Sequence, residues 1–151
     1  MNNKEYLEKI LPHKRPMILI DDVLEYSNDE KWIKTVVTIS KDSIFYDKTI
    51  KGISSIVGIE YMAQTIGCYV HLRKQQNEPK IGFLLGTRLY NNKQEKFNLG
   101  ETYTIKAEEV FYNDDIASFS CTIYDKDNDE IASATINAYQ GEEVEKELIN
   151  G

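Results

Sequence analysis

Histidine and cysteine are both scarce in this 151-residue chain, two of each. Cys68 and Cys121 sit in apolar surroundings with no CxxC or Cys/His spacing, which argues against a disulfide framework or metal centre; buried free thiols in a reducing cytosol are expected. Long apolar runs are also missing. The most hydrophobic stretch, GIEYMAQTIGCYVHL (58–72), is interrupted by Glu60, Gln64 and Thr65 and falls short of the ~20 residues a membrane span needs. The N-terminus, MNNKEYLEKILPHKRP, offers neither an apolar h-region nor a small-residue cleavage site, so a cytoplasmic protein is expected. Positive charge is in deficit, 18 Lys and Arg against 25 Asp and Glu, and a net charge of −7 disfavours a nucleic-acid partner. No repeat, low-complexity linker or charge block divides the chain. The expectation is one domain over 1–140 and an acidic tail over 141–151 that carries Glu142, Glu143, Glu145 and Glu147.

What is present is mostly period two. Residues 3–11 place Tyr6, Leu7, Ile10 and Leu11 at helical spacing before Pro12, predicting a short helix. MILIDDVLEY (17–26) reads as a first strand. KWIKTVVTIS (31–40) reads as a second, with Ile33, Thr35, Val37 and Ile39 on one side. After a loop over 41–54, Ser54 or Ser55 can cap a helix running to about Gln76. Strands follow near 80–90, 101–112, 116–124 and 131–140, the last three joined by tight-turn sequences into an antiparallel meander. Ala117, Phe119, Cys121 and Ile123 share one face, as do Ala132, Ala134, Ile136 and Ala138, leaving room for a close helix. An apolar helix needs cover on most sides, and a curved antiparallel sheet wrapped around it supplies that cover: an α+β hotdog architecture. Its unpaired edge strand gives a reason to dimerise.

Within the long helix Glu60, Gln64, Gly67 and His71 form one narrow polar stripe at i, i+4, i+7 and i+11. Two readings stand. The stripe is a solvent face, or Glu60 is a partly desolvated carboxylate whose pKa is lifted toward the range useful for proton transfer. His71 lies about 16 Å along the helix from Glu60, too far to share its chemistry. His13, in the loop sequence LPHKRPM, can be pointed into a cleft.

LPHKRPMILIDDVLEY (11–26), followed by GIEYMAQTIGCY (58–69), resembles the hotdog 3-hydroxyacyl-ACP dehydratases, with their LPHxxPM segment and E-x-M-A-Q helix. IGFLLGTRLY (81–90) resembles the strand that follows. GIEY is similar to the ApeP-like branch associated with aryl-polyene synthesis. The resemblance covers most of residues 11–90. It implies removal of water from a 3-hydroxyacyl thioester, carried by an acyl carrier protein, to give a trans-2-enoyl thioester, with no cofactor and no metal. Glu60 matches the family's helix carboxylate and Gln64 its neighbouring amide. Gly58 stands where a helix N-terminal amide meets the thioester carbonyl.

One departure stands out. The fatty-acid enzymes carry their catalytic histidine in a GHFPGxP loop, whereas FYDKTIKGISS (45–55) has none and puts Tyr46 in its place. A tyrosine with a pKa near ~10 is a poor base. Either His13 takes the base role, or the chain is a non-catalytic acyl- or carrier-binding subunit of a hotdog heterodimer; a hotdog thioesterase is a third possibility. Lys14, Arg15, Arg73, Lys74 and Arg88 are the candidate basic patch for an acidic carrier protein.

Overall fold

A computed structural model describes residues 3–11, 13–74, 84–113 and 116–139. The described elements are α1 (Asn3–Ile10), β1 (Asp22–Ser27), β2 (Trp32–Thr38), β3 (Tyr46–Asp47), β4 (Gly52–Ser54), a 3₁₀ turn (Ser55–Val57), α2 (Gly58–Lys74), β5 (Leu84–Asn92), β6 (Lys96–Asn98), β7 (Thr102–Tyr112), β8 (Ile116–Tyr124) and β9 (Glu130–Tyr139). The acidic tail and the residues following Lys74 in the anticipated long helix lie outside the described residues.

The main sheet is antiparallel and runs β1-β2-β7-β8-β9-β5. Alternation dictates which face meets the helix. Ile33, Thr35, Val37, Tyr103, Ile105, Ala107, Phe119, Cys121 and Ile136 are all buried. One inner row crosses all six strands as Tyr26, Ile33, Ala107, Cys121, Ala134 and Tyr90. Small side chains occupy its centre and tyrosines its edges, so α2 nestles at mid-sheet while the margins rise around it. The hotdog arrangement expected from the sequence is what the chain adopts, and it keeps Tyr61, Met62, Ile66, Cys68 and Tyr69 out of water.

Three local expectations are corrected. The first strand begins at Asp22, not Met17. The backbone of 17–20 bonds to side chains instead: Gln64 takes Met17 O and Leu19 N, and Lys4 Nζ takes Ile18 O and Ile20 O, leaving no strand ladder to join. The anticipated loop 41–54 contains β3 and β4. β4 pairs with β3 on one side and with β6, a further strand, on the other, in a small β3-β4-β6 sheet beside the start of α2. Its strands of two or three residues are too short to show alternation. Ser54 does cap, but it caps the 3₁₀ turn, its hydroxyl accepting from Ile56 N–H.

Candidate active site

The polar stripe of α2 turns toward protein. Gln64 and Gly67 are buried, and a Cβ on Gly67 would come within 2.8 Å of Leu11 Cδ2, so the end of α1 lies on the helix where a larger residue would block it. The solvent-face reading is thereby overturned for the middle of the stripe, while Glu60 sits at its open end.

Gln64 organises this end. Its Oε1 accepts from Leu19 N–H at 2.9 Å. Its Nε2 donates to Met17 O at 2.8 Å and to Glu60 Oε1 at 3.3 Å. One amide thus fixes both the helix carboxylate and the segment that follows His13. The consequence is contact between the two candidates singled out in the sequence: His13 Nε2 lies 3.3 Å from Glu60 Oε1, with side chains 30% and 40% exposed respectively. His13 Nδ1 is buried with no partner. With Nε2 the nitrogen facing the carboxylate, that contact dominates the imidazole's polar environment. The Glu60 carboxylate still meets solvent in this single chain.

The remaining site residues fall elsewhere. Gly58 opens α2, but a Cβ there would lie 2.3 Å from Tyr90 Oη, and the Gly58 N–H already donates to Ser55 O and Ile56 O within the turn. The Tyr90 hydroxyl donates to Ser55 O, locking β5 to this corner. Close approach at Gly58 is therefore used by Tyr90. Tyr46 lies on β3 opposite Ile53 and makes no hydrogen bond to His13 or Glu60. Of the candidate basic patch, Arg15 pairs with Glu8, and Arg73 is thirteen residues along α2 from Glu60, about 20 Å away at 1.5 Å per residue. The side chains of Lys74 and Arg88 lie outside the described residues.

Sequence reasoning missed a second carboxylate. Glu109 is buried on the inner face of β7, accepting from Tyr69 Oη at 2.6 Å and Arg73 Nη1 at 3.0 Å. The Arg73 guanidinium lies 3.9 Å from the centroid of the Tyr112 ring. The signal was present, since the parity of Tyr103, Ile105 and Ala107 carries Glu109 inward. With its charge matched by Arg73, Glu109 braces the far end of α2. Burial pushes the Cys121 thiol up to about 12 and the Cys68 thiol higher still, so neither is poised as a nucleophile. Asp125, Asp127 and Asp129 gather in the turn between β8 and β9, where Asp125 Oδ1 already accepts the Asp127 and Asp129 amides.

Among the described residues no helix is long and apolar enough to cross a membrane. Comparison with known proteins bears on the family and the fold. A 3-hydroxyacyl-[acyl-carrier-protein] dehydratase FabZ from Oceanobacillus iheyensis is 32% identical over 89 residues, 57% of this chain and 62% of that protein, so the match spans about three fifths of that relative's length. The dehydratase heterocomplex ApeI:P from Xenorhabdus doucetiae superposes with a TM-score of 0.83 at 25% identity, covering 96% of this chain and 97% of the matched one. A thioesterase from Haemophilus influenzae shares the fold alone, with a TM-score of 0.62 at 12% identity over 92% of this chain and 90% of that one. The sequence profile of the ApeP-like family, described as ApeP dehydratase, matches residues 5–149, and the chain belongs to that family.

Proposed function

We propose that this chain dehydrates a 3-hydroxyacyl thioester to the trans-2-enoyl thioester, with His13 and Glu60 as the proton-transfer pair. The observation that carries the reading is the 3.3 Å contact between His13 Nε2 and Glu60 Oε1, supported by the Gln64 amide. The reaction breaks a C–H bond at the α-carbon and a C–O bond at the β-carbon, forms the C=C bond and releases water. It needs a base and an acid at the same moment. An imidazole and a carboxylate that hold one proton between them are one of each: the imidazole takes the α-proton and the protonated carboxyl delivers a proton to the departing hydroxyl. Because the two groups touch, substrate must address both from one side, and the elimination is syn.

Glu60 is 40% exposed in the single chain, and the desolvation anticipated for it has to come from further cover. Ile56, one turn before it, is 62% exposed, and Leu89 on the edge strand β5 is 73% exposed. A second hotdog chain, identical or different, pairing along the β5 edge would cover Leu89, and the heterocomplex described for the Xenorhabdus protein supports association with another chain. The substrate carrier is an acyl carrier protein with its acyl group on a phosphopantetheine arm, as the name of the Oceanobacillus relative supports. Exposed Lys14, next to His13, is available to an acidic carrier.

The test is turnover of a 3-hydroxyacyl-pantetheine thioester by the purified chain, alone and co-purified with a partner hotdog chain. Conjugated enoyl thioester should accumulate, and Glu60→Gln should abolish it without unfolding the protein. Wild-type turnover by that variant would refute the assignment, and free thiol without enoyl product would make the chain a thioesterase.

A further inference from the structure

Among the described residues the His13 imidazole has one polar contact, and it is the contact that proton transfer needs. Its Nε2 faces Glu60 Oε1 at 3.3 Å, while the buried Nδ1 meets no partner. The ring has no second bond to anchor it, so its placement is inherited from the main chain on either side. On one side that chain is α1. On the other it is the stretch 17–20, which belongs to no strand.

α1 carries a lysine in line with its buried residues. Leu7 and Leu11 are buried, and Leu11 N–H donates to Leu7 O at 2.9 Å, so helical bonding reaches Leu11. Lys4 precedes these two by three and seven residues, which puts all three on one stripe of the helix. Its ammonium reaches over the 17–21 stretch: Nζ donates to Ile18 O at 3.0 Å and to Ile20 O, and lies 3.3 Å from Asp21 Oδ1. Three N–H donors thus meet three acceptors. Gln64 takes the complementary groups of the same stretch, Met17 O, Leu19 N–H and Ile20 N–H. Lys4 therefore closes residues 4–18 into a loop with His13 on it. Two further ties cross this loop, Arg15 to Glu8 and Lys14 Nζ to Glu8 O at 3.5 Å, but both lie at the surface, where such contacts hold little.

We propose that Lys4 is a positioning residue for the dehydration: its grip on the Ile18 and Ile20 carbonyls keeps the His13 imidazole on the Glu60 carboxylate. It takes no part in the proton transfers. The inference rests on the His13–Glu60 reading and adds the group on α1 that sets their contact. A misplacement of about 1 Å at reacting groups costs roughly 10²-fold in rate, so a residue that acts only through the main chain can still govern turnover.

The test is hydration of an enoyl-pantetheine thioester by the native assembly. Lys4→Met keeps the length of the side chain without its donors, and should lower kcat about ten- to hundredfold with KM within about twofold. Lys4→Arg, which keeps donors in reach of both carbonyls, should stay within about threefold of wild type. The deciding measurement repeats Lys4→Met on a His13→Asn background. There it should cost less than about twofold further, because the imidazole it positions is gone, whereas a merely structural role gives the same loss on both backgrounds. Should Lys4→Met fail to fold, Lys4→Gln, which retains an amide donor, goes through the same cycle. Wild-type kcat in the Lys4 variant, a Lys4→Arg protein as slow as Lys4→Met, or an undiminished loss on the His13→Asn background overturns the inference. Wild-type activity in His13→Asn alone would instead overturn the proton-transfer reading, and the role of Lys4 with it, so the two failures are told apart by which variant is silent.

Discussion

Replacing Gln64 by leucine tests how the site is held together. The side chain keeps nearly the same volume, so the packing under α1 is preserved and the change is confined to hydrogen bonding. Four bonds disappear: to Met17 O at 2.8 Å, from Leu19 N–H at 2.9 Å, from Ile20 N–H at 3.5 Å and to Glu60 Oε1 at 3.3 Å. Glu60 recovers water because it is exposed, and Met17 O recovers part of its solvation, but Leu19 N–H is buried and stays unpaired. At about 1–3 kcal/mol for each orphaned buried group, the expected loss is about 2–4 kcal/mol. For a domain of this size that lowers Tm by about 5–15 °C. Urea unfolding with linear extrapolation reads it directly, and the m-value should hold constant. Gln64→Glu provides the internal control. Its carboxylate cannot donate to Met17 O and repels Glu60, so its folded-state pKa is raised. Stability is then present at low pH and lost as pH rises through that folded-state value. A Gln64→Leu protein within about 0.5 kcal/mol of wild type, or a Gln64→Glu protein with a flat pH profile, refutes the assigned role.

Gly58→Ala should cost about 1–3 kcal/mol in thermal unfolding, since the new Cβ meets Tyr90 Oη at 2.3 Å, and adding Tyr90→Phe should recover part of that loss. Thr35 and Thr65 share a buried hydroxyl contact of 2.7 Å, and Thr65 also donates to Tyr61 O. Thr65→Val leaves Thr35 unpaired and should cost about 1–3 kcal/mol, while adding Thr35→Val should then be nearly free; additive losses in this cycle would contradict the pairing. Burial lowers the His71 pKa, so the unfolded chain binds more protons as pH falls below about 6.5 and stability drops through that window. His71→Gln should flatten this part of the pH profile relative to wild type.

The strands and the central helix were legible in the sequence because period-two alternation in 31–40, 116–124 and 131–140, and the apolar run of 58–72, leave one efficient way to bury them. His13 and Glu60 could be singled out from residue type and setting, but their contact could not. It depends on Gln64 drawing the 17–20 backbone onto α2, and that same bonding removes 17–20 from the strand the pattern anticipated. The small β3-β4-β6 sheet escaped because two- and three-residue strands carry no period. Glu109 was readable from parity, but charge argued for the surface until Arg73 and Tyr69 were seen to meet it. A cavity of about 370 Å³ beside Tyr61 is formed by α1, α2, β2, β4, the 15–21 segment and the 40–43 loop together, and no local pattern encodes it.

The coupling of His13 to Glu60 in catalysis is the central claim, and a double-mutant cycle on kcat/KM measures it most directly. His13→Asn, Glu60→Gln and the double variant are compared with wild type for hydration of an enoyl-pantetheine thioester by the native assembly. Each single change should remove most of the activity, and the double should be scarcely worse than the poorer single, because a pair that shares one proton fails as a unit. Losses that multiply independently, or a His13→Asn protein with wild-type kcat/KM, would contradict the coupling.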